Sequence, residues 1–112
     1  MCDKNKLKII TNDTVEAILS VSKNVEKIIL FGSQARGDSN VGSDIDILVV
    51  VNMLEEQLSK IKMELRNIAS DISLEYDECI SLIVVTRSEY ESKVDTLFYQ
   101  NIKRDGIVLF SI

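Results

Sequence analysis

Gly32-Ser33-Gln34-Ala35-Arg36-Gly37-Asp38-Ser39-Asn40-Val41-Gly42-Ser43-Asp44-Ile45-Asp46 is the stretch on which the reading of this chain turns. It holds three of the four glycines and lies between two apolar runs. The run before it, Lys27-Ile28-Ile29-Leu30-Phe31, is short and rich in β-branched residues, the pattern of a buried strand that stops at Gly32. The run after it extends from Asp44 to about Val51 and is continuously apolar beyond Asp46, as expected of a central strand covered on both faces. Residues 32–43 between them read as a loop by composition.

The residues of this loop carry a definite chemistry. Gly32 lets the backbone approach a ligand closely, and N–H groups oriented at such a turn make an anion site. Ser33 adds a hydrogen-bond donor and Arg36 a guanidinium suited to phosphate oxygens. Asp44 and Asp46, two apart on a strand, project from one sheet face about 7 Å apart. Carboxylates that close repel unless a cation neutralises them. Taken singly, a Gly-Ser is a turn and two acids at a strand start are solvated. Together they set an anion cradle beside a cation site, which is what Mg2+-triphosphate chemistry requires.

Outward from this segment, helix and strand periods alternate. Residues from about Thr11 to Lys23 predict a helix, with Val15, Ile18, Leu19 and Ser22 on one face and Thr11 to Thr14 as N-cap candidates. From Met53 to Tyr76, Leu54, Leu58, Ile61, Leu65, Ile68 and Ile72 form one apolar stripe of a long helix. Cys79 to Thr86 predicts a third strand. Ser88-x-x-Glu91 has the form of a capping box for a helical region running to Arg104 with a break near Asp95. Gly106 is placed as a C′ residue, and Ile107 to Phe110 as a closing strand or core-tethered tail. The expectation is an α/β (α+β) domain, a small mixed sheet with helices packed on it. It spans residues 1–112 as one unit, with residues 1–8 frayed.

Composition narrows the function further. With 112 residues, 46 % hydrophobic and 28 % charged, the chain is one globular domain's worth. Its net charge of −5 and lack of a basic run argue against direct nucleic-acid binding. There is no histidine, which removes Ser-His, Cys-His and His-ligated zinc chemistry and leaves oxygen donors for any metal. Cys2 and Cys79 read as thiols of a reducing cytosol. No apolar stretch approaches the roughly 20 residues of a membrane span, so a cytoplasmic protein is expected.

The Gly32–Asp46 segment resembles the minimal nucleotidyltransferase (MNT) family of the DNA polymerase β-like nucleotidyltransferase superfamily. That family's motif is Gly-Ser-x-Ala-Arg-Gly, five variable residues, then Ser-Asp-x-Asp, and all eight specified positions are present. The tail Leu97 to Ile107 is similar to that of small family members. The resemblance implies the polymerase β palm-like fold, Asp44 and Asp46 as catalytic ligands of two Mg2+ ions, and Gly32, Ser33, Arg36 and Ser43 around the phosphates of ATP or another nucleoside triphosphate. An acceptor hydroxyl would attack the α-phosphorus and pyrophosphate would leave. The superfamily's third carboxylate falls at Ser81, with Asp77 and Glu78 as nearby acids. Asp38 is expected to be a solvated turn residue. Tyr76, Tyr90 and Tyr99 could stack a base, although tyrosines on helices more often serve packing.

Small members of the family act as antitoxins paired with HEPN-type toxins, some of which they modify with adenylate. The resemblance therefore implies a partner toxin as acceptor. Two other functions stay open: a binding-only antitoxin, and a transferase acting on a small molecule such as an aminoglycoside, whose acceptor pocket would need a homodimer interface.

Overall fold

A computed structural model describes residues 4–37 and 44–112. The chain runs α1 (Lys4–Val21), β1 (Val25–Phe31), α2 (Ser33–Arg36), β2 (Ile45–Val51), a 3-10 turn (Glu55–Gln57), α3 (Leu58–Tyr76), β3 (Ile80–Thr86), α4 (Arg87–Ser92), α5 (Leu97–Asp105) and β4 (Ile107–Ser111). The strands form one mixed sheet in the order β3-β2-β1-β4. β1 is antiparallel to both β2 and β4, while β2 and β3 are parallel and joined through α3.

The sheet has two covered faces, and strand alternation decides which residue goes where. Ile28 and Leu30 of β1 join Ile45, Ile47, Val49 and Val51 of β2 under α1 and α3. Ile29 of β1 joins Leu48 and Val50 of β2 and Val85 of β3 against Tyr99 and Ile102 of α5, with Phe31 and Ile83 half-buried beside them. β2 is buried along its whole length except at Asp46, which is half-buried. This is the continuous burial that its apolar run predicts. Asp46 projects on the α5 face, because its ladder partner Phe31 does.

Three boundaries differ from the sequence reading for local reasons. Helix α1 starts at Lys4 and passes through Thr11 and Thr14 without ending. Their hydroxyls donate to the carbonyls of Lys8 and Ile10, at 3.1 and 2.7 Å, so neither is needed as an N-cap. Leu54 is extended and 61 % exposed, its N–H donating to Gln57 Oε1, so the stripe of α3 begins at Leu58. The cap of α4 is Thr86 rather than Ser88. Its hydroxyl accepts the Glu89 N–H at 3.1 Å and donates to Glu55 Oε1 at 3.0 Å, so Ser88 lies inside the helix.

The break predicted near Asp95 falls between α4 and α5. Gly106 caps α5 at a φ of −70°, not in the left-handed region expected of a C′ glycine. A side chain there would meet the Ile102 carbonyl and Ile29 Cγ2 instead. Among the described residues no helix is long and apolar enough to cross a membrane.

Candidate active site

The site is built where β1 ends and β2 begins, side by side on the α5 face. Phe31 pairs with Asp46 across the antiparallel ladder. The chain then turns at Gly32, with φ 78° and ψ −158°, directly into the single helical turn of α2, which Gly37 closes in the left-handed conformation. The loop expected over residues 32–43 thus opens with helix. The first N–H groups of a helix have no intrahelical acceptor, and here they follow a glycine at a strand end. Ser33 is half-buried at the start of this turn and Arg36 is exposed at its end.

Gly32 and Asp46 are packed against each other. A Cβ at Gly32 would overlap the Asp46 carboxylate oxygen Oδ2 and stand 3.3 Å from its Cγ. The absence of a side chain at Gly32 therefore lets the phosphate-type turn and the carboxylate share one spot.

The electrostatics follow from this crowding. Asp46 is pushed above the usual carboxylate range, first by burial and then by the negative charge of Asp44, while the Arg36 guanidinium opposes the shift. Asp44 is exposed, immediately before β2. A second neighbour of these acids was not legible in the sequence. Cys79, assigned there to an apolar strand, is an exposed free thiol just ahead of β3. The Ile45 N–H donates to its carbonyl at 2.8 Å, which sets Cys79 alongside Asp44. Its thiol donates to the Asp44 carboxylate, and that bond, burial and the two aspartates raise its pKa. The parallel register of β2 and β3 is the missing signal, since it alone makes these residues neighbours.

Asp44 and Asp46 fit a hard divalent cation. Both are oxygen donors, and Asp46 is a partly desolvated charge facing another of the same sign. Among the described residues no group of three or more His, Cys, Asp and Glu converges as a metal cage. Two carboxylates completed by water and substrate phosphate oxygens is the usual arrangement for Mg2+. Ser43 and Asp38 lie outside the described residues, as does Cys2.

The place beside Asp46 on β3 belongs to Ser81, its ladder partner on the same face. Of the two nearby acids, one is exposed at a helix end and the other is held in an ion pair. Asp77 ends α3 in the left-handed conformation at φ 52°, its N–H donating to the Ser73 carbonyl. Glu78 pairs with Lys6 Nζ at 3.1 Å.

The tyrosines pack rather than face the site. The Tyr76 hydroxyl donates to Asp13, tying α3 to α1 and raising its pKa to about 12. Tyr90 and Tyr99 meet edge to face with ring centroids 5.6 Å apart. Phe98 of α5 also lies beside the site, a residue that the sequence shows only as part of the helical region and the family-like tail. Its ring meets Phe31 at 5.8 Å and is 44 % exposed.

A strand-end glycine turn set against paired carboxylates on a small mixed sheet defines a nucleotidyltransferase. The chain belongs to the family described as Polymerase beta, Nucleotidyltransferase, which matches residues 13–112. Two proteins of Methanocaldococcus jannaschii provisionally named protein adenylyltransferases are similar. One is 37 % identical over 74 % of this chain and 77 % of its own length; the other is 34 % identical over 77 % and 79 %. Among solved structures, a provisionally named nucleotidyltransferase from Sulfolobus solfataricus superposes with a TM-score of 0.61 at 25 % identity, covering 92 % of this chain and 78 % of that one. A chain of a toxin–antitoxin pair crystallised with AMP-PNP superposes at 0.65 and 20 % identity, over 91 % and 73 %. A chain of the Shewanella oneidensis complex between an MNT antitoxin and a tri-AMPylated HEPN toxin superposes at 0.60 and 18 % identity, over 94 % and 72 %.

Proposed function

We propose that this nucleotidyltransferase transfers AMP from ATP, with Mg2+, to a hydroxyl of a partner protein, and that the partner is the HEPN-type toxin of a toxin–antitoxin pair. The observation that carries the reading is the packing of Gly32 against Asp46, which joins a turn suited to phosphate to carboxylates suited to a cation. The protein adenylyltransferase names of the curated relatives support a protein acceptor and adenylate. The MNT–HEPN complex with an AMPylated toxin supports the partner.

In this reading Gly32 and Ser33 receive the terminal phosphates on N–H and hydroxyl donors, with Ser43 assisting. Arg36, exposed at the end of α2, screens the phosphate charge. Asp44 and Asp46 would hold the cation. Mg2+, bound there, supplies Lewis-acid polarisation of phosphate oxygens and stabilises the pyrophosphate leaving group. The charge strain at Asp46 gives the site its preference for a cation, since binding one removes the repulsion from Asp44.

The test is transfer of label from α-phosphate-labelled ATP into the neighbouring gene product co-expressed with this chain. A labelled band that Asp44→Asn abolishes supports the reading. A tight complex without label, whose neutralising effect survives Asp44→Asn and Asp46→Asn, would instead establish the binding-only antitoxin. Ser81 in place of a third acid beside Asp46 is the observation that favours this second reading.

A further inference from the structure

We propose that the outer edge of β3 is a docking site for an extended acidic segment of another protein, which adds to the sheet as a further strand beside Lys62 and Arg66 of α3. The inference goes beyond the transferase reading and does not rest on it. The sheet order ends at β3, which pairs with β2 and has no strand on its other side among the described residues. Such an edge presents backbone N–H and C=O groups with which an extended chain can pair. Beside it lies a cavity of about 160 Å³ lined by Lys62, Arg66, Leu82, Ile83 and Val84. Leu82 packs on the α3 side of the sheet and Ile83 on the α5 side. Both are only half-buried although they lie in mid-strand, so apolar surface is left for a partner on each face of the edge.

The charges choose the occupant. Lys62 is half-buried and Arg66 exposed, and neither side chain makes an ion pair or hydrogen bond among the described residues. Four apart in sequence, they share one side of the helix and stand about 6 Å apart along its axis. Helix α3 joins two parallel strands, so it runs back along β3. On an added strand, alternate residues would face the α3 side about 7 Å apart, close to the spacing of the two cations. The fitting segment therefore alternates acidic residues, turned to Lys62 and Arg66, with apolar ones turned to the Ile83 side. A second copy of this chain fits less well. Antiparallel pairing of two β3 edges about a two-fold axis would leave both α3 helices on one face and bring the same cations together, where they repel. A nucleic-acid strand would leave the backbone groups of β3 unpaired and is opposed by the net charge of −5. Basic residues at an edge can also serve only to keep other strands away, and the test separates the two roles.

The test follows the fluorescence anisotropy of a labelled short peptide alternating glutamate and valine as the full chain is added. Wild type should bind it and should not bind the matching peptide of lysine and valine. The double variant Lys62→Gln/Arg66→Gln, checked for folding by its melting curve, should bind about tenfold more weakly through the loss of two surface ion pairs. Raised salt should weaken the wild-type complex in the same direction. Two further peptides carry N-methyl groups on the glutamates only or on the valines only. Alternate amides of an added strand face its partner, so one of the two should lose binding and the other keep it. The proposal is overturned if the glutamate–valine peptide does not bind, if the double variant binds it as tightly as wild type, or if the two methylated peptides behave alike. Lys62 and Arg66 would then only guard the edge. Wild-type dimers in sedimentation that tighten in the double variant would give the edge to a second copy, and binding of an oligothymidylate but not of the peptide would give it to nucleic acid; either result also overturns the proposal. No readout uses nucleotide or metal, so the transferase reading stands or falls separately.

Discussion

Replacing Gly32 by alanine should damage stability and metal binding together, and Gly37→Ala separates the causes. At φ 78° and ψ −158°, Gly32 occupies a region that is essentially closed to other residues, and holding a side chain there costs about 1–3 kcal/mol. The added methyl would also overlap the Asp46 carboxylate and force it to move. Gly37 also has positive φ, 81°, but in the left-handed helical region, where the penalty is about 1 kcal/mol. A Cβ at Gly37 meets nothing within 4 Å. For a chain of this size 1 kcal/mol moves the melting temperature by about 4 °C. Gly32→Ala should therefore melt about 4–12 °C below wild type, and Gly37→Ala about 4 °C below.

The affinity readout distinguishes strain from collision. Mn2+ titration followed by electron paramagnetic resonance counts the free ion directly. Displacing a ligand carboxylate is comparable to losing the group that orients it, so Gly32→Ala should weaken Mn2+ binding by about tenfold or more, and Gly37→Ala should leave it unchanged. The reasoning is refuted if the two variants melt together and both retain wild-type Mn2+ affinity. Gly32 would then be an ordinary turn residue with no hold on Asp46.

Arg36→Ala should weaken Mg2+-ATP binding about tenfold by calorimetry, the low end for a charged hydrogen bond because the side chain is exposed to solvent and salt; unchanged affinity would remove Arg36 from the site. Asp46→Asn should raise the melting temperature at pH 7 in EDTA. The folded pKa of Asp46 is raised, so its contribution favours the fold fully below 3.8 and is lost as pH rises through the raised value, leaving a repelled charge at neutral pH. The gain should shrink as pH falls through the raised value towards 3.8, and a lower melting temperature at pH 7 would contradict the assignment. Glu78→Gln should leave AMP transfer intact and cost no more than about 1 kcal/mol in denaturant unfolding, since it removes one ion pair with Lys6; a tenfold loss of transfer would make Glu78 the third carboxylate.

The strands were legible because their signals are contiguous: Lys27–Phe31 and the run after Asp46 are short apolar runs, rich in β-branched residues and bounded by the glycine-bearing loop, too short for a buried helix. Segment ends were less legible wherever a side chain had two uses. Thr14 can cap a helix or bond back to Ile10, and only packing against the sheet decides for the second. Ser88 and Thr86 both offer an oxygen three residues before a glutamate, and Thr86 prevails because β3 delivers it extended into the first turn. The proximity of Cys79 to Asp44 depends on register, which a linear sequence does not display. Phe98 was hidden for a related reason. Its place on α5 resembles a packing position, while its ring is 44 % exposed.

The site carries costs that a ligand can recover. Gly32 is held in a conformation open only to glycine, and Asp46 is desolvated against Asp44. A fold of marginal stability keeps such features only where the surrounding structure over-determines them. Here β1, β2 and β4 do so through consecutive antiparallel ladders, with β3 locking the far edge. In the proposed function a cation would relieve the repulsion at Asp46, and a triphosphate would be attracted to the N–H groups beyond Gly32 once that negative charge is neutralised. Each ligand therefore improves the site for the other. By linkage, Mg2+ and nucleotide together should stabilise the fold by more than the sum of their separate effects. That cooperativity comes from the contact between one glycine and one aspartate, the feature that distinguishes this site from a solvated loop beside two acids.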